Sequence, residues 1–374
     1  MMIKIMSAVL NLIYRIHKLF PVQNRISFIS REYDEPDVDI TMLADELKKQ
    51  SSDTDVVICC RMIGDGWFQK LRYGLHLCTT QMHLLATSRV VILDSYCMGV
   101  SLLTHKKSLK VVQMWHALGA FKAFGYTAID RDDGRDAKTA RQLKMHRGYD
   151  VIFVSSELCR KPMAQSFGYD ESAAVVMPLP RVDLLQDQAW RQETREQILQ
   201  AYPQMRGHRV VLYAPTIRRG DEIIDYAEQL EKAFRADPDT ILVMKFHPVS
   251  HITVRIGTAI SDTQFTTMQL LTVSDYVITD YSSVIFEAAL IGNPVIRYVP
   301  DRAAYDHDRG FLIDTRKMPF PVFESAGQTA ETIRSGNAST AGTARQWVLD
   351  YVEPGTDHTG RMAAYILKLS NIRI

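Results

Sequence analysis

Two stretches of this chain have the residue types and surroundings for chemistry at phosphorus. One is VITDYSSVIF, residues 277–286, which continues as the apolar pattern VIFEAALIG. An apolar run ends in Thr279-Asp280, passes through Tyr281-Ser282-Ser283 and enters a helix. The first N–H groups of a helix lack intrahelical partners and carry partial positive charge. Such a place suits a phosphate. The other is His247, which closes the apolar run ILVMKFHP. An imidazole and an anion-ready turn, each at a strand end, predict an enzyme that handles a phosphorylated donor.

Further residues extend that chemistry. His116 lies in VVQMWHALGAFKAFGY, residues 111–126. Histidine ordinarily titrates near about 6.5, so a neutral base is available around neutral pH. An alcohol that attacks phosphorus must lose its proton, and a positioned base contributes about 10²–10⁴-fold. Gly119 and Gly125 allow a close approach of backbone to ligand, and Lys122 can meet an acceptor phosphate. A structural histidine beside Trp115 is the alternative. Thr216, Arg218 and Arg219 follow the run RVVLYAP. Arginine grips phosphate through a planar fork, although two arginines in a loop are also ordinary solvated charges. Asp280 can cap its own loop through neighbouring N–H groups. Glu287, one helical turn after Ser283, reaches a ribose hydroxyl or faces water. Lys245 reads as solvent-facing or structural.

These residues must be held by strands. Candidate strands are 25–30, 55–61, 89–95, 109–116, 150–156 and 173–178, then 209–215, 240–248, 276–280, 294–300 and GFLID at 310–314. Helical patterns lie between them, among them TMLADELKKQ and SELCRKPMAQSFG. Continuous Val/Ile runs alternating with helices predict parallel sheets covered on both faces. The expectation is α/β, with two Rossmann-like, doubly wound domains facing a central cleft. Residues 23–182 would form an acceptor domain and 183–350 a donor domain. Residues 351–374 would form a last helix that packs back on the first domain. The polar stretch 325–345 reads as surface. Ligands of open parallel sheets bind outside the carboxyl ends of the strands. His116, His247, the residues after RVVLYAP and those after YVITD all obey that rule.

Composition narrows the class. The chain has 374 residues, 46% hydrophobic and 23% charged, with net charge +1. That balance gives no global attraction to nucleic acid. Five cysteines without a CxxC read as reduced buried thiols. DRDDGRD (130–136) lacks metal-loop spacing and reads as an exposed loop, as does Asp306-His307-Asp308. No metal and no cofactor is expected. Residues 1–31 are basic, with no acidic residue. Lys4, Ser7, Asn11, Arg15 and Lys18 recur at helical spacing, and apolar residues fill the rest up to Pro21. Residues 1–22 therefore predict an amphipathic helix, too interrupted by cations to span a bilayer. It is suited to an anionic membrane surface or to packing on the domain.

The ordered motifs resemble the CDP-glycerol glycerophosphotransferase family of teichoic acid synthesis over nearly the whole chain. They run from RISFIS through QMWHALGAFKAFGY, VSSELCRKPMAQSFGY, VLYAPTIRRGD, VMKFHPVS and VITDYSSVIFEAALIGNPVIRYVPDRAAYDHDRGFLID to DHTGRMAAYIL. The resemblance implies a GT-B architecture on the cytoplasmic face of the membrane, as a peripheral protein working without a metal. It implies transfer of glycerol phosphate or ribitol phosphate from CDP-glycerol or CDP-ribitol to a hydroxyl of a lipid-linked or polymeric acceptor, with release of CMP. In these terms His116 is the general base, His247 contacts the donor phosphates, and Arg218, Ser282 and Ser283 belong to the donor site. The chain departs from the commonest pattern at Ala117, where many members have glycine, and at Ile217, where many have an aromatic. A sugar transferase of the same architecture and a catalytically inactive polymer-binding scaffold are the competing readings.

Overall fold

An apolar strand without a polar face has to be covered on both sides. The computed structural model describes residues 2–64, 66–216, 218, 222–246, 257–302, 305, 309–336 and 341–371. It meets that requirement in two compact units, Met1–Asp183 with Gly355–Ile374, and Leu184–Pro354.

The first unit contains β1 (Arg25–Ser30), β2 (Asp55–Cys60), β3 (Val90–Leu93), β4 (Lys110–Gln113), β5 (Val151–Val154) and β6 (Ala174–Val176). All pair parallel, in the order β2-β1-β3-β4-β5-β6. The order reverses between β1 and β3, and open parallel sheets bind their ligands at the carboxyl edge of such a switch point. Helix Glu157–Phe167 shows how locally the connections are coded. Ser156 caps its start by accepting from Cys159 N–H, and Gly168, at φ 79°, ends it in the left-handed region.

The second unit contains β7 (Arg209–Tyr213), β8 (Thr240–Met244), β9 (Ile260–Ser261), β10 (Tyr276–Thr279), β11 (Val295–Tyr298) and β12 (Val322–Phe323). They too are all parallel, in the order β12-β11-β10-β7-β8-β9. Here the switch lies between β7 and β10. Val211, Tyr213, Leu242, Met244, Ile278 and Ile296 bury one sheet face against helices Glu222–Phe234 and Ala326–Arg334. Their neighbours Val210, Leu212, Val243, Val277 and Val295 are buried as well.

Several sequence expectations need correction. Residues 310–314 form no strand of either sheet. Gly310 has φ 75°, and Phe311 lies against the Tyr281 and Tyr305 rings. The stretch 325–345 is not merely surface. Ala326, Ala330 and Ile333 stand on one helical face and enter the core. Of the five cysteines, Cys59, Cys97 and Cys159 are buried, whereas Cys60 and Cys78 are only partly so. The two-residue strands β9 and β12 are too short to carry a period.

The last helix, His358–Leu369, buries Met362, Ala363, Ile366 and Leu367 and packs against helix Val38–Gln50 of the first unit. Asp183 ties it down by accepting from His358 N–H at 2.9 Å and from Thr359 N–H at 2.8 Å. The first helix, Met2–His17, is attached in an unusual sense. Its docked side combines Tyr14, fully buried, with polar contacts from Asn11 and from Lys18 just beyond the helix end. Asn11 Nδ2 donates to Leu102 O (2.9 Å), Asn11 Oδ1 accepts from Thr104 N–H (2.9 Å), and Lys18 Nζ donates to Thr104 O (3.0 Å). Ile5, Val9, Leu12 and Ile16 face outward, Leu12 at 63% exposure. A second helix, Trp67–His76, likewise exposes Trp67, Phe68, Leu71 and Leu75. Among the described residues no helix is long and apolar enough to cross a membrane.

Candidate active site

In the first unit the site grows from the ends of three adjacent strands. Ser30 closes β1, Asp94 follows β3, and His116 lies just beyond β4. Ser30 Oγ donates to Asp94 Oδ2 across the switch point, and Ser30 in turn accepts from Glu32 N–H at 3.2 Å. His116 Nδ1 lies 2.8 Å from the backbone oxygen of Asp94. A carbonyl oxygen only accepts, so Nδ1 carries the hydrogen. In the neutral ring the lone pair is then on Nε2. The imidazole is held on one edge and left able to take a proton on the other.

The neighbouring Trp115 completes this arrangement. Its φ of 62° puts a bulky residue in the left-handed region, at a cost of about 1–3 kcal/mol. Its N–H donates to Gln113 Oε1 (3.0 Å). Its ring stacks on His116 at 4.2 Å between centroids and on Phe124 at 4.4 Å. Phe167 and His146 pack edge-on against it. Burial pushes the His146 pKa down to about 3, which keeps that ring neutral within the aromatic cluster. Gly119, at φ 66°, donates its N–H to Ser155 Oγ at the end of β5 (3.1 Å). Gly125 has no room for a side chain, since an added Cβ would lie 2.1 Å from Ser166 O. Asp94 is 1% exposed, and burial raises its pKa.

In the second unit Thr216 and Asp280 meet at the β7/β10 switch point. Asp280 Oδ1 accepts from Thr216 N–H (2.9 Å) and from Tyr281 N–H. Its Oδ2 pairs with Arg218 Nη2 at 2.8 Å. Arg218 Nε pairs with Asp301 Oδ2 at 2.7 Å, and Nη1 donates to Thr216 O at 2.9 Å. The guanidinium lies 5.4 Å from the Tyr281 ring centroid and 4.9 Å from that of Tyr305. Burial opposes its charge, but the two carboxylates outweigh burial and raise its pKa. Arg297, buried in β11, donates from Nε to Asp280 O (3.2 Å).

This network fixes the turn that precedes helix Val284–Ile291. Ser283 stands at the N-cap with its side chain outside the cap, and Ser282 and Ser283 are half-buried. Thr216 is 8% exposed, and its buried hydroxyl has no partner among the described residues. Such an orphan is costly in a finished core and is what a ligand-receiving hydroxyl looks like.

Within the first unit, then, Trp115, His116 and Gly119 gather at the carboxyl edge of the sheet, with Lys122 half-buried after them. Within the second, Thr216, Arg218, Asp280, Ser282 and Ser283 gather likewise. Glu287 is 6% exposed, which removes the water-facing alternative. Lys245 is bound to buried Asp262 at 3.0 Å. Arg219, His247 and Asp306-His307-Asp308 lie outside the described residues. Sequence reading missed Ser30, Asp94, Arg297 and Asp301. Ser30 and Asp94 carried a usable signal, because each stands where an apolar run ends, as His116 does.

Two all-parallel, doubly wound units with polar groups at both switch points define an α/β transferase fold of the GT-B type. The chain belongs to the CDP-glycerol:poly(glycerophosphate) glycerophosphotransferase family, whose model matches residues 12–358, and it is a polyol-phosphate transferase. It is 29% identical over 301 residues to a teichoic acid ribitol-phosphate primase of Bacillus spizizenii, covering 78% of this chain and 77% of that one. It is 30% identical over 345 residues to a teichoic acid poly(ribitol-phosphate) polymerase of the same species, covering 88% of this chain and 54% of the longer relative. The fold matches the solved wall teichoic acid polymerase TagF with a TM-score of 0.75 at 18% identity, over 98% of this chain and 94% of that one.

Proposed function

We propose that the chain transfers glycerol phosphate or ribitol phosphate from CDP-glycerol or CDP-ribitol to a lipid-linked or polymeric acceptor of teichoic acid or a related surface polymer. His116 Nε2 takes the proton of the acceptor hydroxyl. The oxygen attacks the polyol-bearing phosphorus, an O–P bond forms, and the bond from that phosphorus to the bridging oxygen breaks to release CMP. Charge rising on the phosphoryl oxygens meets the backbone N–H groups of Ser282 and Ser283 and the hydroxyls of Thr216, Ser282 and Ser283. Arg218 keeps that turn in shape through Asp280. Glu287 is assigned to the donor from its place one turn into the same helix. His247 and Arg219 are assigned to the donor phosphates from their sequence motifs, and Trp115, Gly119 and Lys122 to the acceptor side.

The observation that carries this reading is the Nδ1 contact of His116 with Asp94 O, which leaves a proton-accepting nitrogen on a ring locked by stacking. The test is CMP release from CDP-glycerol, CDP-ribitol and UDP-sugars in the presence of membranes. CMP from at least one CDP-polyol is expected. Nucleotide release from a UDP-sugar alone would sink the reading.

The same proposal places the protein peripherally on the cytoplasmic face of an anionic membrane. Its support is the outward apolar face of helix Met2–His17, flanked by exposed Lys4 and Arg15, and the exposed stripe from Trp67 to Leu75. Each aliphatic side chain fully buried in lipid contributes about 1.5–3 kcal/mol, and the cations add a salt-sensitive attraction. Wild-type protein is expected to float with vesicles containing anionic phospholipid, and the double variant Leu12→Glu/Trp67→Glu to remain at the bottom of the gradient. Equal flotation of the two would remove these helices from the membrane contact.

A further inference from the structure

The first unit's switch point holds a cation that nothing in the proposed proton transfer uses. Arg31 directly follows Ser30 at the end of β1. Its guanidinium lies 5.3 Å from the centroid of the Tyr96 ring, and Tyr96 stands two residues after Asp94. Arg31 Nε is buried without a hydrogen-bond partner, and among the described residues no carboxylate pairs with Arg31. The Tyr96 ring holds the guanidinium by a cation–π contact while leaving its fork of N–H donors unspent. The Ser30–Asp94 bond and the Asp94–His116 contact tie this arginine to the same strand ends that carry the base. A preformed guanidinium that no described carboxylate neutralises, standing at a sheet switch point, is a receptor for a planar or tetrahedral oxyanion.

The chemistry of the reaction says which oxyanion. One transfer leaves the acceptor ending in a free polyol hydroxyl with a phosphodiester on its inner side. The next acceptor hydroxyl therefore comes with a phosphate a few bonds away. We propose that Arg31, seated on Tyr96, binds the phosphodiester of the acceptor's terminal unit while His116 receives that unit's hydroxyl. The inference rests on the reading of His116 as the base. It makes Arg31 a specificity residue that separates a polyol-phosphate acceptor from a neutral alcohol. The donor phosphates have their own place at the Asp280 turn.

The experiment uses the full-length chain in a His116→Ala background, so that no turnover disturbs binding. The two probes are octyl glyceryl phosphodiester and the uncharged octyl glyceryl ether, titrated calorimetrically. The phosphodiester is expected to bind about 10- to 100-fold more tightly than the ether, as a charge-assisted bidentate contact implies. Adding Arg31→Gln is expected to erase that preference without changing the affinity for the ether or for CDP-glycerol. Arg31→Lys is expected to keep part of it, and unchanged thermal midpoints verify folding. The proposal is overturned if Arg31→Gln keeps the preference, weakens both probes alike or weakens CDP-glycerol instead, or if neither probe binds. Loss of vesicle flotation in Arg31→Gln with unchanged probe preference overturns it in favour of a lipid headgroup. Persistent polyol-phosphate transfer by His116→Ala itself would instead remove the base assignment and leave the binding comparison standing.

Discussion

Replacing His116 with alanine is expected to lower the rate of polyol-phosphate transfer by about 10²–10⁴-fold, the usual contribution of a positioned base, while CDP-glycerol still binds. The expectation follows from where the ring is attached. His116 is fixed through Nδ1 to the Asp94 carbonyl and through its face to Trp115, and both belong to the first unit. The donor groups proposed here, Thr216, Asp280, Ser282 and Ser283, belong to the second. Removing the imidazole is therefore expected to delete the proposed proton acceptor and to leave the proposed donor turn intact. Single-turnover CMP release and calorimetry with CDP-glycerol separate the two effects. Equal loss of turnover and donor affinity would reassign His116 to the donor. His116→Gln is a useful companion, because it fills the space and can hydrogen-bond to Asp94 O but does not act as a base near neutral pH.

Arg218→Ala is expected to destabilise the second unit by about 3–5 kcal/mol, the cost of leaving buried charge unpaired, and to weaken donor binding as a consequence. The guanidinium is 10% exposed and faces Asp280, only 3% exposed, and Asp301 at 16%. Without it both carboxylates lose this counter-charge, and the Asp280 side chain is left with the Thr216 and Tyr281 N–H groups. Arg218→Lys restores a charge but not a fork that reaches Asp280, Asp301 and Thr216 O together, so only partial recovery is expected. Urea denaturation and CDP-glycerol titration are the measurements. If stability is normal while donor affinity collapses, Arg218 touches phosphate directly and its role as a positioning residue is lost.

The sequence placed these residues because parallel strands and their caps are coded locally. Apolar runs of four to six residues, bounded by Asp, Ser, Gly or Pro, mark buried strands, and the residue after each run stands at the carboxyl edge. His116, Thr216 and Asp280 were legible in that way. The same rule applied to RISFIS and RVVILDS would have added Ser30 and Asp94. Arg297 was hidden because its strand, PVIRYVP, reads as apolar apart from it. Its partners come from distant segments, among them Asp280 O and Thr315 O, and they explain a buried arginine there.

The chain alone determined the alternation of strands and helices, the chemistry at the strand ends and the family to which the protein belongs, since each depends on residues close in sequence or on ordered motifs. Tertiary structure decided the strand order and so which ends meet at each switch point, because pairing joins segments tens of residues apart. It decided the His116 tautomer, through a carbonyl 22 positions away. It also decided which face of the first helix is outward. Amphipathic spacing tells two faces apart, but the contacts of Asn11 with Leu102 and Thr104 and the burial of Tyr14 decide which side is docked and leave Ile5, Val9, Leu12 and Ile16 exposed.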